Sequence, residues 1–210
     1  YPRGLLEVVV ASDGSTDDLA AVVAGRFGDE VRLVQDDSRL GKSLMQNLAV
    51  ESTDASIVLF SDADTRFTEG FLRSVVAPFA DESVGAVQAH LLFVPADGSA
   101  GTVSQARYWR AELEIRRLES ELGILAVASG SCIAVRRHLW RPLDSAFGED
   151  CMIPLDVVLQ SRTVAYAETA IAFEPEDEEF ENVIRSRSRM TLRNWQGTWS
   201  RAELLNPFTH

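Results

Sequence analysis

The chain has 210 residues, 46% of them hydrophobic, which is enough to enclose one sizeable core. Twenty Lys and Arg stand against 32 Asp and Glu, and the formal net charge is −12. This balance argues against a broad DNA- or RNA-binding surface, because such a surface needs many cations opposite the phosphates. We therefore expect one domain and no nucleic-acid partner.

Cysteine usage and hydropathy indicate the compartment. Cys132 and Cys151 are too few for a disulfide framework, and neither lies in a CxxC or Cys/His pattern of a zinc site. No run of 18 apolar residues is present, and the first residues lack a signal-peptide pattern. These features favour a soluble cytoplasmic domain with reduced thiols.

The first half of the chain alternates strand-like and helix-like segments. We predict strands at 5–11, 31–35 and 57–60, one strand or a pair of short strands at 84–94, and helices at 17–27, 42–51 and 68–80. The run at 57–60 is apolar without alternation, as in strands that are buried on both faces. The pattern predicts an α/β fold with a mostly parallel sheet flanked by helices.

The second half opens with a loop at 95–101 and then a helix at 104–122. Tyr108, Ala111, Ile115, Leu118 and Leu122 recur at helical spacing, so we expect this face to pack on the sheet. Further on, the sequence predicts strands at 131–136 and 163–167 and helices at 151–160 and 182–199. An acidic stretch at 174–181 gives way abruptly to arginines, which marks a boundary.

The strand at 5–11 leads into Ser12, Asp13 and Gly14 at the carboxyl edge of the predicted sheet, where α/β folds bind ligands. Thr16 or Asp17 can simply cap the next helix. Asp13 precedes those caps and is not needed for that purpose. Its carboxylate could accept hydrogen bonds from a nucleobase N–H or a ribose hydroxyl.

Two further aspartates follow the apolar strand at 57–60. Asp62 and Asp64 are two positions apart, so in extended chain they project to the same side. Two carboxylates that close repel unless a cation lies between them, and Mg²⁺ or Mn²⁺ prefers such oxygen ligands. The alternative is a pair of solvated turn residues.

Glu149 and Asp150 come after Gly148, just ahead of the helix predicted at 151–160. Acidic residues in a first helical turn interact favourably with the helix dipole, so capping is one interpretation. The other is a general base, because an aspartate near a positive helix end stays ionised and can accept a hydroxyl proton.

Basic residues suggest two more contacts. Arg185, Arg189 and Arg193 share one face of the closing helix, with Leu192, Trp195 and Trp199 on the next face. This pattern is typical of a solvated basic face over a core stripe, and it also fits a phosphate clamp or a helix on an anionic bilayer. Lys42 follows Gly41 at a helix start and could meet phosphate.

Taken in order, these motifs resemble the processive-type family 2 glycosyltransferases. The matching segments are VVASDGSTD at 9–17, GK at 41–42 with Asn47 after it, SDAD at 61–64, ASGS at 128–131, GED at 148–150 and the Arg/Trp-rich closing helix. The resemblance spans nearly the whole chain. It implies a GT-A fold and inverting transfer of a sugar from a nucleotide-diphosphate sugar.

The resemblance also implies roles for individual residues. It assigns Asp150 to the catalytic base and Asp62 and Asp64 to a DxD-like site for Mg²⁺ or Mn²⁺. The implied donor site comprises Asp13, Lys42, Asp62 and Asp64. The implied acceptor region, which would bind a saccharide or a lipid-linked acceptor, comprises Ser129, Gly130, Glu149, Arg193 and Trp195.

Two differences from the family pattern bear on these expectations. The closing helix, at 180–201, has the Arg, Trp and Gln of QxxRW in another order, so polymer synthesis and single-sugar transfer are both open. Family members begin with a strand and helix upstream of Leu5, so we expect 1–210 to be a partial catalytic domain. Relatives often continue into membrane helices, which predicts a membrane-associated protein.

Two other functions fit the same residues. A sugar nucleotidyltransferase also combines an α/β sheet with metal-bound aspartates, and it would release pyrophosphate from a nucleoside triphosphate. A non-catalytic module would bind nucleotide sugar without turnover.

Overall fold

The computed structural model describes residues 1–95, 103–176 and 180–206, with the side chains at 95, 103–110, 176, 180–187 and 205 outside the description. Seven strands lie within these ranges: β1 (Val8–Asp13), β2 (Val31–Asp36), β3 (Ile57–Ser61), β4 (Arg66–Phe67), β5 (Val84–Pro95), β6 (Cys132–Arg136) and β7 (Thr163–Glu176). The α-helices there are α1 (Leu19–Phe27), α2 (Lys42–Glu51), α3 (Phe71–Val76), α4 (Val103–Glu121), α5 (Glu149–Leu159) and α6 (Phe180–Ser200).

The strands form two sheets. β1 and β2 pair in parallel, while the other five strands follow the order β3-β6-β5-β7-β4. In the larger sheet β5 and β7 are parallel, but β6 is antiparallel to both of its neighbours, and β4 is antiparallel to β7. The α/β class is confirmed, whereas the sheet is mixed rather than mostly parallel.

The reversal of β6 decides which residues meet. β3, β5 and β7 run in one direction, so their carboxyl ends share one edge of the sheet, and β6 begins at that edge. Ser61 is paired with Cys132, which places the segment before β6 beside Asp62. We call this the site edge.

The large sheet is covered on both faces. One cluster includes Phe71 and Val75 of α3, and the other includes Ile153 and Val157 of α5. The second cluster also contains Val50 of α2, a helix that contacts β1 and β2 as well. α2 therefore joins the small sheet to the large one and carries its first residue, Lys42, to the site edge.

Two element boundaries differ from the prediction in ways that matter for the site. α5 begins at Glu149 rather than at 151, so Glu149 and Asp150 lie in its first turn. β7 continues to Glu176 rather than ending at 167. A register shift opposite Ala89 and His90 interrupts the alternation of β7, which explains why the sequence showed only its first half.

The prediction that the apolar face of α4 packs on the sheet is wrong. Ile115, Leu118 and Leu122 are exposed, whereas Tyr108 lies outside the described side chains. The predicted loop at 95–101 falls, apart from residue 95, outside the described residues. In the described part of the chain, no helix has the length and apolar character needed to cross a bilayer.

Candidate functional site

Asp13 ends β1 and ties the small sheet to the segment before α2. Its Oδ2 accepts a hydrogen bond from the backbone N–H of Gly41 at 2.9 Å. Its Oδ1 is buried, and no hydrogen-bond partner is assigned to it, nor to the neighbouring buried Ser12 Oγ. A buried acceptor without a partner is costly, so a ligand donor would be stabilising there. Near the start of α1 the N-cap is Asp18, which makes no side-chain capping bond, while Asp17 Oδ1 accepts from the Leu19 N–H at 3.3 Å.

Asp62 follows β3 and forms an ion pair rather than standing free in solvent. The Nζ of Lys42 lies 2.5 Å from Asp62 Oδ1 and 2.6 Å from Glu149 Oε1. Burial lowers the pKa of Lys42, but the charges and hydrogen bonds of Glu149 and Asp62 outweigh it, so the pKa is raised overall. This ammonium connects residues that are far apart in sequence.

Asp64 is exposed beside Asp62, and together they offer hard oxygen ligands. Among the described residues, no group of three His, Cys, Asp or Glu side chains is arranged to enclose a metal ion. Two carboxylates could hold a divalent cation only if substrate phosphate and water supplied the remaining ligands, as is common for Mg²⁺.

Glu149 is buried in the first turn of α5 and lies against Gly130. A Cβ atom built on Gly130 would come within 2.5 Å of Glu149 Oε1, so no larger residue fits there with this side-chain position. Gly130 thus lets the carboxylate reach Lys42. The sequence-predicted acceptor residues Gly130 and Glu149 are in contact, but Glu149 faces the donor-side lysine.

Asp150 has a partly buried carboxylate. Burial and then the charge of Glu149 raise its pKa, while hydrogen bonds from Asn194 and the Cys151 N–H act in the opposite direction. The rise outweighs the lowering expected of a helix N-terminus. Its backbone carbonyl accepts from Ala128 N–H at 2.9 Å, which holds α5 against the segment before β6.

Sequence reasoning missed Glu174, which β7 carries to the site edge. Its Oε2 accepts from Ser131 Oγ at 2.8 Å, and Ser131 Oγ is 3.2 Å from Ser129 Oγ. Burial raises the pKa of Glu174, and Asp62 and Asp64 raise it further. The only available signal was its place on a strand end, and the surrounding acidic stretch concealed that signal.

Arg193 faces inward rather than forming a solvated basic face. Its guanidinium donates to the carbonyl of Phe147 at 2.6 Å, to the carbonyl of Ser145 at 3.2 Å and to Ser43 Oγ at 3.3 Å. These bonds fasten α6 to the loop before α5 and to α2. Arg189 is exposed, and the side chain of Arg185 lies outside the description.

Trp195 and Trp199 are 63% and 58% exposed, which contradicts the core stripe predicted for α6. Their ring centroids are 6.4 Å apart. They border an open groove of about 600 Å³, whose lining residues are Ala146, Phe147, Leu192, Trp195, Gln196, Trp199 and Ser200. The groove adjoins the loop that leads to Asp150.

Solved structures with a similar fold carry nucleotides and manganese. A mannosyltransferase from Pyrobaculum calidifontis, in complex with GDP-Man and Mn²⁺, superposes with a TM-score of 0.79 at 22% identity, over 95% of this chain and 56% of that chain. Glucosyl-3-phosphoglycerate synthase from Mycobacterium tuberculosis, with Mn²⁺, UDP and glucosyl-3-phosphoglycerate, gives 0.60 at 21% identity, over 93% and 68%. The fold is that of the GT-A glycosyltransferases.

Sequence comparison agrees with the fold. An N-acetylglucosaminyltransferase of Azorhizobium caulinodans is 26% identical over 186 residues, which cover 81% of this chain. The match spans 47% of that relative, so the chain corresponds to about half of its length. The model of the family described as "Glycosyltransferase like family 2" matches residues 1–192. The chain therefore belongs to glycosyltransferase family 2.

Proposed function

We propose that this domain moves a sugar from a nucleotide-diphosphate sugar to an acceptor hydroxyl with inversion at the anomeric carbon. The observation that carries the proposal is the ammonium of Lys42, which lies 2.5 Å from the donor-side Asp62 and 2.6 Å from Glu149, the neighbour of Asp150. This contact supports a site in which Lys42 would bind phosphate, Asp62 would help to hold a cation, and Asp150, next to Glu149 in the chain, would be the base.

The donor would lie along the site edge. Asp13 Oδ1, which has no assigned hydrogen-bond partner, would accept from the nucleobase or the ribose, and Lys42 would face the diphosphate. Asp62 and Asp64 would hold a divalent cation, which when bound neutralises charge on the departing diphosphate. Mn²⁺ in the similar structures supports this choice of cation.

Asp150 would act as the base. As the acceptor oxygen attacks the anomeric carbon, its proton passes to the Asp150 carboxylate, and the bond from that carbon to the diphosphate oxygen breaks. The products are the glycosylated acceptor and the nucleoside diphosphate. One base suffices for this single displacement, whereas a hydrolase of the usual type must also protonate its leaving oxygen.

The acceptor would approach from the groove beside Trp195 and Trp199. Indole faces bind apolar surface and sugar C–H groups, so a saccharide or lipid-linked acceptor fits this groove. Ser129 and Gly130 border the same end of α5. An acceptor at a membrane surface is compatible with the exposed indoles, which favour bilayer interfaces.

Calorimetric titration tests the donor site. We would titrate the chain with UDP, GDP and UDP-sugars, with and without Mn²⁺, beside Asp64→Ala. Metal-dependent binding that is lost in Asp64→Ala is the expected result. The nucleotide that binds would identify the nucleobase of the donor. Binding of equal strength without Mn²⁺, or in Asp64→Ala, would contradict the cation site.

Asp150→Asn tests the base. Removing a general base costs roughly 10²–10⁴-fold in rate, so release of nucleoside diphosphate from the donor should fall by that factor while donor affinity changes little. Undiminished turnover in Asp150→Asn would sink the assignment. Pyrophosphate release from a nucleoside triphosphate would instead favour a nucleotidyltransferase.

A further inference from the structure

The bridging lysine occupies a carboxylate that the proposed cation also needs. Lys42 Nζ is 2.5 Å from Asp62 Oδ1, and Asp62 is one of the two expected metal ligands. An ammonium and a divalent cation cannot both hold the same carboxylate oxygen at full strength, because like charges repel at such distances. A divalent cation that bound Asp62 would therefore compete with Lys42.

The second partner of Lys42 is held more firmly than the first. The side chain of Glu149 is 8% exposed, against 32% for Asp62 and 46% for Lys42. Glu149 is fixed by its place in the first turn of α5 and by its contact with Gly130. A buried carboxylate without a positively charged partner is strongly unfavourable. Glu149 would therefore keep its ion pair with Lys42 when the ion pair between Lys42 and Asp62 breaks.

We propose that Lys42 is an internal counter-ion that occupies Asp62 until the divalent cation binds, and that Glu149 is the positioning residue that then keeps its ammonium at the site. The second part rests on the proposed function, because the released ammonium would face the diphosphate. The first part concerns cation binding alone and stands without any nucleotide.

The nucleotide-free protein tests the competition. The dissociation constant for Mn²⁺ would be measured from the electron paramagnetic resonance signal of the free ion. A partly exposed ion pair corresponds to about a fivefold effect, so Lys42→Met should bind Mn²⁺ about fivefold more tightly, whereas Lys42→Arg should stay near the parent value. Unchanged or weaker binding in Lys42→Met, or no Mn²⁺ binding in either protein, overturns the proposal.

A matched control separates local competition from net charge. Arg26→Met removes one positive charge from the exposed last turn of α1, at the opposite end of that helix from the segment that follows Asp13. Its Mn²⁺ affinity should remain within about twofold of the parent, because exposed charges beyond about 8–10 Å are screened at physiological salt. An equal gain in Arg26→Met and Lys42→Met would overturn the competition.

The positioning role of Glu149 needs a nucleotide readout. With saturating Mn²⁺, Glu149→Gln and Gly130→Ala should each weaken the binding of UDP or GDP by about fivefold. Glu149→Gln removes the negative charge that holds Lys42, and the methyl group of Gly130→Ala displaces the Glu149 carboxylate. Near-UV circular dichroism would confirm that both variants fold. Parent-like nucleotide affinity in a folded Glu149→Gln would overturn the positioning role.

The two proposals fail in different ways. If the parent protein binds no nucleotide, the transferase proposal fails, and the retention by Glu149 fails with it. The competition between Lys42 and the cation is still tested in that case, because the Mn²⁺ affinities of Lys42→Met and the parent are measured without nucleotide.

Discussion

At the scale of single residues, the proposed base Asp150 has an environment that shifts its pKa. Its carboxyl is partly buried beside Glu149, and both features raise its pKa, whereas Asn194 and the Cys151 N–H lower it. A base must be ionised to accept a proton, so turnover should fall as the pH drops through this raised pKa. The acid limb of the pH–rate profile should therefore lie above the usual range for an aspartate.

Glu149→Gln provides a signed test of this prediction. Removing the neighbouring negative charge lowers the pKa of Asp150, so the acid limb of donor turnover should move to lower pH. Glu51→Gln, an exposed change at the end of α2, serves as the control and should leave the limb in place. A limb that stays fixed or rises in Glu149→Gln would contradict the assignment of Asp150 as the titrating base.

The cysteines give a second prediction at this scale. Burial raises the pKa of Cys132 to about 12, and Cys151 is also buried with a raised pKa. Since the thiolate is the reactive form, neither residue should be alkylated by iodoacetamide in the folded protein. Mass spectrometry should show two added groups only after denaturation. Rapid modification of the native protein would contradict the burial.

At the scale of elements, β5 depends on a single glycine. Gly85 lies at the register shift between β5 and β7, and a Cβ there would come within 2.7 Å of both Leu139 Cδ1 and Val157 Cγ1. Arg162 closes the third side at 2.8 Å. A glycine at a bulge thus allows α5 to pack directly on the sheet and to bring its first turn to the site edge.

Gly85→Ala should therefore destabilise the protein. Overpacking a filled site costs about 1–3 kcal/mol, which should appear as a lower urea midpoint in circular dichroism. Gly25→Ala is the matched control in α1, where the added methyl group meets open space and helix propensity favours Ala by up to about 1 kcal/mol. If Gly85→Ala were as stable as Gly25→Ala, the packing argument would fail.

For the whole molecule, the two sheets differ in how they are buried. The core clusters contain residues of β3, β5, β6 and β7, and within the described residues of β1 and β2 only Ser12 is fully buried. The small sheet is joined to the rest chiefly through α2, and by contacts such as Glu7 Oε2 accepting from Thr53 Oγ1 at 2.6 Å. The free energy of local opening should therefore be smaller for the small sheet than for the large one.

Hydrogen exchange measures this difference. Amides at 8–13 and 31–36 should exchange at least about tenfold faster than those at 132–136, because opening the small sheet exposes little apolar surface. Mass spectrometry of peptic fragments gives both rates in one experiment. Equal protection of the two sheets would show that they open as a single unit.

The prediction of the α/β fold succeeded where local pattern carries the information, and the site residues chosen from the same patterns stay predictions. Strand polarity fixes which end of a strand faces a ligand, so the positions after β1 and β3 could be chosen from hydropathy alone. Periodicity failed for α4 and α6, because it reports an apolar face without saying whether another element covers it. The exposed Trp195 and Trp199 are the clearest example.

The sequence by itself determined the α/β class, the family and the candidate aspartates, because each follows from the hydropathy pattern or the motif of a short segment. Only the tertiary structure decided that Lys42 bridges Asp62 and Glu149, that Glu174 joins the site and that Arg193 faces inward. Those facts depend on contacts between segments far apart in the chain, such as Ser43 with Phe147, and on the antiparallel course of β6. Such contacts arise when the elements pack, and no local pattern encodes them.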